Sequence, residues 1–310
     1  MKPGDTVAVA VVSRSIDPDT LDCLRCTKRQ TRPPDEVVLV TPDRETSLPE
    51  DLAGVRVIHD EGNRSRARNI AWKASRSAII CFWESDSIFN DRWIEEVIEE
   101  FERGVDAVID RRAVFNPRSY IERCWDKQFD IRYADYTPFS AWAFRREVLE
   151  STGGFDEALE YAEDTDLGLR LLQKGFKIGL ARGAVQQHRG EPRTLRQIVA
   201  RRFAFGYNKA KGFYAKHPDL FPRKKVLLLW ASLFLAVALG IYGHLAIVGS
   251  LILLGYIAMA FNVYRQGRGA VPLSMVLGIA LIRILGGVAY HLGASLGLVG
   301  RRAKGGASSR

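Results

Sequence analysis

Ala78-Ile79-Ile80-Cys81-Phe82-Trp83-Glu84-Ser85-Asp86 is the stretch on which the fold turns. Its six apolar residues have the length and unbroken hydrophobicity of a strand buried on both faces, as strands of a parallel sheet are. Three polar residues, two of them acidic, then end the run. Working outward, Val7-Ala-Val-Ala-Val-Val12 reads as another such strand, Glu36–Val40 as a second and Val55–Ile58 as a third. Asp17-Pro18-Asp19-Thr20 starts a helix through Leu21, Leu24 and Cys26, which Arg32-Pro33-Pro34-Asp35 stops. Asn69–Ser75 predicts another helix. Strand and helix alternating in units of about 30 residues predict an α/β fold whose ligands bind beyond the C-terminal strand ends. Glu84 and Asp86 stand at one of those ends, two carboxylates able to hold a divalent cation or to sit in a plain acidic turn.

Charge divides the 310-residue chain into three. Residues 1–191 carry 28 Lys and Arg against 35 Asp and Glu, whereas residues 192–225 carry ten basic residues and one acid, Asp219. Residues 226–310 carry seven basic residues and no acid. The overall +9 therefore does not describe a nucleic-acid-binding body. It describes an acidic globular domain (1–191), a basic hinge (192–225) and a membrane domain (226–310). Four cysteines, Cys23, Cys26, Cys81 and Cys124, are too few for a disulfide framework in a chain this long, and Cys23-Leu-Arg-Cys26 reads as incidental to its helix. No signal-peptide pattern precedes the first strand, so the acidic domain is expected in the cytoplasm.

A second acidic stretch is Gly153-Gly154-Phe155-Asp156-Glu157-Ala158-Leu159-Glu160-Tyr161-Ala162-Glu163-Asp164-Thr165-Asp166-Leu167-Gly168-Leu169-Arg170. Leu167, Leu169, Leu171 and Leu172 predict a helix that Gly175 ends. Glu163, Asp164 and Asp166 then crowd its first turn. Acids are favoured there as caps and by the helix dipole. One acid suffices for a cap; three within four residues after a double glycine point to a site.

Val226–Gly243 and Leu245–Tyr264 are each about 20 residues, free of charged side chains apart from His244 between them, and long enough to span a bilayer as a hairpin. Arg223-Lys224-Lys225 before it and Arg265 and Arg268 after it place both ends on the cytoplasmic side. Leu273–Val299 holds Arg283, His291 and five glycines. A third span would leave Arg301, Arg302 and Lys304 outside, against the positive-inside rule, which favours a re-entrant or interfacial helix. Between domain and hairpin, Arg196, Gln197, Arg201 and Arg202 alternate with Leu195, Ile198, Val199 and Phe203, and aromatics follow among lysines. That pattern suits either a solvated basic helix or an interfacial helix on anionic lipid headgroups.

The order of these features resembles the family 2 glycosyltransferases of the GT-A fold across about residues 6–215. The match runs through Ser13-Arg14-Ser15 after the first strand, Gln30-Thr31-Arg32-Pro33-Pro34-Asp35-Glu36, and Asn63-Arg64-Ser65-Arg66-Ala67-Arg68-Asn69. It continues through Glu84-Ser85-Asp86, the Gly153–Leu167 segment and His188. The resemblance implies a mixed, mostly parallel sheet flanked by helices. It implies a nucleotide-sugar site at Ser13, Arg14, Ser15, Asn63, Arg68, Glu84, Ser85 and Asp86, and Mn2+ or Mg2+ on Asp86 and His188. The family holds the base with acids after its second strand; here Val40-Thr41-Pro42-Asp43 leaves Asp43 for that contact. Glu84 stands where the family has Asp, which leaves Asp86 the better placed metal ligand. The catalytic base is implied at Asp164, with Glu163 or Asp166 shaping its surroundings. Gly153, Gly154, Phe155 and Asp156 are assigned to the acceptor side. Gln197-Ile-Val-Ala-Arg201-Arg202 loosely resembles the Gln-x-x-x-Arg-Trp element of membrane-bound members, so Arg201 and Arg202 would border the acceptor or the diphosphate.

The expected reaction is an inverting transfer from a nucleotide diphosphate sugar to a hydroxyl of a lipid-linked, polyprenyl-type saccharide. A hydroxyl acceptor needs a general base and an ionised lipid phosphate does not, so the acids at 163–166 favour the hydroxyl. A polyprenyl phosphate acceptor stays open as the alternative, with a silent nucleotide-sugar-binding module and a nucleotidyltransferase behind it. Oligomeric state is not legible in the sequence.

Overall fold

The computed structural model describes residues 5–134, 141–267 and 270–307, and the side chains of these residues apart from Ala134 and 300–307. Arg268 lies outside the described residues, and so do the side chains of Arg301, Arg302 and Lys304. The chain forms two compact units, Met1–Asn116 with Thr137–Glu191, and Pro117–Tyr136 with Pro192–Arg310.

The first unit opens with β1 (Val7–Val12), α1 (Pro18–Lys28), β2 (Glu36–Thr41), β3 (Arg56–His59), α2 (Arg64–Ala74) and β4 (Ile79–Glu84). All four strands match expected runs to within about a residue at each end, and they pair in parallel in the order β3-β2-β1-β4. β1 has β2 on one side and β4 on the other, and Val7, Ala8, Val9 and Val11 are wholly buried, which explains its unalternating apolar sequence. Asp17 caps α1, accepting the Thr20 amide at 2.9 Å.

One element differs from expectation. α2 begins at Arg64, five residues before the predicted start, because Asn63 caps it by accepting the Arg66 amide at 2.9 Å. Its basic first turn hid that start, since the apolar content begins only at Ala67. The consequence is that Arg68 and Asn69 sit inside a helix and point into the protein, both buried.

The second half of the sheet was not resolved from sequence. It contains β5 (Ser87–Phe89), α3 (Trp93–Glu102) and β6 (Ala107–Val114) from this unit. α4 (Tyr120–Ala134) belongs to the other unit; β7 (Ala143–Arg145), α5 (Arg146–Thr152), α6 (Glu163–Gln173) and β8 (Ile178–His188) complete the first. The full order is β3-β2-β1-β4-β7-β6-β8-β5, with β7 and β5 antiparallel to their neighbours and β8 parallel to β6. The sheet is therefore mixed and mostly parallel, with helices on it. β7 covers only the first three residues of β4. β5 leaves the end of β4 through Ser85 and Asp86 and pairs Ser87 opposite His188. That pairing carries the acidic end of β4 to the last residue of β8.

The second unit is helical. α7 (Leu195–Lys211) starts at a capping box between Thr194 and Gln197. α8 (Phe213–Lys216) follows, then α9 (Arg223–Ile241), α10 (Leu245–Gln266) and α11 (Leu273–Ala307). α9, α10 and the Leu273–Val299 part of α11 are each long and apolar enough to cross a membrane. Leu273–Val299 lies in one unbroken helix, and its glycines have a packing role. A Cβ at Gly293 would lie 2.2 Å from the Phe203 carbonyl and one at Gly297 2.4 Å from that of Tyr207, so α7 and α11 touch backbone to backbone. α11 is accordingly covered over 39% of its apolar window, against 0% for α9.

Candidate active site

Three strands of the first unit deliver one polar cluster. β4 ends in Glu84, β8 ends in His188, and β6 supplies Arg112 beside them. Their ligand atoms converge: Glu84, Asp86 and His188 each offer one within 4.8 Å of the others. His188 Nε2 lies 3.1 Å from Asp86 Oδ1 and 3.5 Å from Glu84 Oε2. The Arg189 amide donates to the Asp86 carbonyl at 2.9 Å, which fixes the turn. Gly190 completes the cradle, because a Cβ there would sit 2.6 Å from Asp86 Oδ2 and 2.8 Å from His188 Cε1.

The two carboxylates are held differently. Glu84 Oε2 accepts from Arg112 Nη1 at 2.9 Å and from Gln186 Nε2 at 2.8 Å, so its charge is already engaged. Burial opposes its ionisation, but Arg112 and then His188 outweigh that and hold its carboxyl below the ordinary value. Asp86 is the open one, its side chain 42% exposed. Burial raises its carboxyl too, and the hydrogen bond from His188 foremost brings it below the ordinary value. Two hard carboxylates and an imidazole suit Mn2+ or Mg2+, and the glycine cradle leaves room at the open acid. The residues present fit a divalent cation: Glu84, Asp86 and His188 could together hold one, with Asp86 the most open of the three.

Arg112, Gln186 and Glu191 were missed by sequence reading. Arg112 Nε donates to Glu191 Oε1 at 2.7 Å, which makes Arg112 a bridge between Glu84 and Glu191. A register shift between Ile109 and Arg111 in the β6–β8 ladder precedes it, the kind of irregularity that re-aims side chains next to sites. Gln186 was detectable in principle: it lies two residues before His188 and so on the same face of β8.

In the Gly153–Arg170 stretch Asp156, Glu163 and Asp166 are held by partners. Gly153 and Gly154 have φ of 76° and 73°, and a Cβ at Gly154 would lie 2.4 Å from Asn69 Oδ1. Asn69 clamps the turn that follows, accepting the Phe155 amide at 2.9 Å and donating to the Phe155 carbonyl at 2.8 Å. Phe155 itself is buried edge-on against Phe82 and Phe144. Asp156 accepts the Ala158 amide at 2.9 Å. Glu163 is buried and paired with Arg68 at 2.6 Å, and the Arg68 guanidinium lies over the rings of Trp142 and Phe155. Asp166 is fully buried and pairs with Arg170 at 2.9 Å; Arg170 also donates to the Thr152 and Gly154 carbonyls. Asp164 differs. It is half-buried, and among the described residues its Oδ1 accepts the adjacent Thr165 amide, at 2.7 Å, and hydroxyl, at 3.3 Å. Ala162, immediately before the pair, is held in the left-handed region at φ 61°, a conformation that costs an alanine about 1 kcal/mol or more and sets the direction in which α6 leaves the turn.

The remaining expected residues surround the first strand ends or lie elsewhere. Ser13 is buried, its hydroxyl donating to the Ser15 carbonyl at 2.8 Å and sharing a hydrogen bond with Thr20. Arg14 is exposed. Ser15 donates to Asp17 at 3.2 Å, and Ser85 is half-buried in the turn before Asp86. Asp43 accepts the Ile16, Glu45 and Thr46 amides, and these bonds, that from Ile16 foremost, pull its carboxyl down to about 2. It thus ties the loop after β2 to the loop after β1. Asn63 caps α2 and donates to the Glu157 carbonyl at 2.6 Å. Arg201 and Arg202 belong to α7 in the helical unit, with the Arg202 guanidinium 5.2 Å from the Tyr290 ring centre.

A mixed sheet of this order, with an acid and histidine cluster beyond the ends of its central strands, has the architecture of the GT-A fold. Comparison with known proteins places it further: residues 3–208 match the family described as glycosyltransferase like family 2, and residues 140–294 that described as glycosyl transferase family 21. The chain belongs to the family 2-like glycosyltransferases. It is 26% identical over 215 residues to a pre-mycofactocin glycosyltransferase of Mycobacterium tuberculosis, covering 62% of this chain and 45% of that protein. It is 28% identical over 203 residues to the O-antigen chain rhamnosyltransferase WbaN of Salmonella anatum, covering 58% and 64%. It therefore spans about half to two thirds of the length of the curated relatives it matches. Among solved structures, the mannosyltransferase PcManGT of Pyrobaculum calidifontis, in complex with GDP-mannose and Mn2+, superposes with a TM-score of 0.61 at 19% identity. That match covers 94% of this chain and 86% of the other.

Proposed function

We propose that this chain transfers a sugar, with inversion at the anomeric carbon, from a nucleotide diphosphate sugar to a hydroxyl of a membrane lipid-linked saccharide of polyprenyl type. The convergence of Glu84, Asp86 and His188 on one point at the strand ends carries the reading. Family membership supports the transferase chemistry, and the three long apolar helices support an acceptor that lives in a membrane. Asp86 and His188 would hold Mn2+ or Mg2+, which when bound neutralises charge developing on the leaving diphosphate. Ser13, Arg14, Ser15 and Ser85 line the loops beyond the strands where a nucleotide would lie, with Asp43 shaping the first of these loops.

Asp164 is the base that takes the proton of the attacking hydroxyl. Among the described residues its hydrogen bonds run to its neighbour Thr165, whereas Glu163 and Asp166 beside it are committed to arginines. Arg68 and Glu163 thus act as positioning residues under it. Basic residues of α7 face anionic headgroups, and the first unit works on the cytoplasmic side of the cell membrane, with Arg223, Lys224 and Lys225 at the inner surface. The test is Asp164→Asn in the full chain, with transfer to extracted membrane lipids and binding of nucleotide sugar measured separately. Transfer is lost and binding retained if Asp164 is the base. Retained transfer would refute that role and point to a phosphate acceptor.

A further inference from the structure

The inference concerns Glu191 and rests on the reading of Asp86 and His188 as metal ligands. As the His188 ring stands, Nε2 lies at hydrogen-bond distance from Asp86 Oδ1, 3.1 Å, so it is the nitrogen that donates. The other nitrogen, Nδ1, is buried and has no hydrogen-bond partner among the described residues. A buried, unpaired ring nitrogen is uncommon and asks for a reason. Ligation supplies one. For Nε2 to give its lone pair to a cation, the ring proton must move to Nδ1, and that N–H then needs an acceptor.

One carboxylate stands ready. Glu191 Oε1 lies 3.6 Å from Nδ1, just past hydrogen-bond range, and its side chain is 2% exposed. A small rotation of the ring closes the gap. Arg112 keeps Glu191 in place from the other side at 2.7 Å and joins it to Glu84. Glu191 is three residues after His188, and Gly190 between them makes the turn without filling the cluster. We infer that Glu191 is a positioning residue that accepts the Nδ1 proton of His188 and so fixes the tautomer in which Nε2 binds the cation. The proton count balances: one hydrogen leaves Nε2 to solvent and one is gained at Nδ1 from it. Arg112 holds Glu191 in place beside the ring, and spares it from becoming a ligand itself.

The experiment uses the full chain in detergent or nanodiscs, with Mn2+ alone as the probe and its affinity read by electron paramagnetic resonance. Glu191→Ala is expected to weaken Mn2+ binding by about 10–100-fold, the usual cost of losing the partner behind a metal-binding histidine. Glu191→Gln keeps the shape and an acceptor oxygen but not the charge, and a smaller loss of about threefold or more is expected from it. Because Glu191 acts through His188, the double variant Glu191→Ala/His188→Ala should bind no more weakly than His188→Ala alone. Histidine-15N spectra add a signature that a merely structural role would not give. With Mg2+ the His188 signal, assigned by its loss in His188→Ala, should move from the Nε2–H to the Nδ1–H form, and Glu191→Gln should leave both forms present.

Unchanged Mn2+ affinity in both Glu191 variants, with Asp86→Ala and His188→Ala weakening it, would overturn the inference and leave the metal site standing. Losses that add in the double variant would also overturn it. Unchanged affinity in Asp86→Ala and His188→Ala would remove the metal-site reading and the inference with it.

Discussion

Two acidic segments of the first unit look alike in sequence and are used in opposite ways. Glu84-Ser85-Asp86 offers its acids to a shared point: Asp86 is 42% exposed and faces His188, and Glu84 stands behind it under Arg112 and Gln186. Gly153–Arg170 commits most of its less exposed acids. Glu163 is consumed by Arg68, Asp166 by Arg170 and Asp156 by the backbone of its own turn. Asp164 is half-buried, its hydrogen bonds among the described residues running to Thr165, and Glu157 and Glu160 are exposed. Density of acid is therefore a poor guide to a site. What matters is which carboxylates have their charge answered by a buried arginine and which do not.

The largest effect that would test this contrast is catalytic. Asp164→Asn should reduce kcat by about 10²–10⁴-fold, the range for a general base, with little change in nucleotide-sugar binding. Glu163→Gln in the same assay should act mainly through stability, and equal losses of kcat at folded concentration would blur the distinction drawn here.

Next comes stability. Arg68→Ala strips the buried Glu163 of its partner and should cost about 3–5 kcal/mol of unfolding free energy, read from denaturant midpoints. The double change Arg68→Met/Glu163→Leu should recover much of that loss, since it removes both charges together. A loss under 1 kcal/mol for Arg68→Ala would mean that the pair is not the anchor of the turn.

A third test concerns a buried acid outside both segments. Asp110 of β6 is buried two residues before Arg112, and burial raises its carboxyl from 3.8 to about 7 despite a hydrogen bond from Trp93 Nε1 at 3.1 Å. Between those values the folded chain holds a proton that the unfolded chain has released. Stability therefore falls as pH rises from about 4 to about 7 and levels off above. Asp110→Asn should remove this slope, matching the parent near pH 4 and exceeding it at pH 8, by at most about 4 kcal/mol at about 1.4 kcal/mol per pKa unit. Parallel pH profiles for parent and variant would show that Asp110 does not titrate in this window.

The smallest effect falls on the nucleotide loops. Asp43→Asn loses the charge that three amides share. It should loosen the loop after β1 and raise the apparent Kd for the nucleotide sugar a few-fold with kcat nearly unchanged. A fall in kcat alone would argue against a role in donor binding.

The same contrast explains what sequence could and could not reveal. β1 to β4 were legible because each is buried on both faces and reads as an apolar run; β4 adds the acids at its end. β6 was not, because Asp110-Arg111-Arg112 interrupts it where the strand turns its side chains to the site. β7 is three residues long and below any periodicity, and β8 alternates through Arg182 and two glutamines. Glu84, Asp86 and His188 were singled out by motif, and the structure brings them together. Arg112 and Glu191 were not singled out, since their meaning lies in an ion pair between residues 79 apart in the chain. The helical unit shows a related limit: the glycines of Leu273–Val299 were legible as unusual, but only the packing of α7 on α11 explains Gly293 and Gly297.

One measurement reaches the central claim directly: Mn2+ affinity determined side by side for the parent chain, Asp86→Ala and Asp164→Asn. The account predicts that Asp86→Ala loses Mn2+ binding by two orders of magnitude or about that, while Asp164→Asn binds the ion as the parent does and still transfers no sugar. Equal weakening in both variants, or weakening in Asp164→Asn alone, would contradict it.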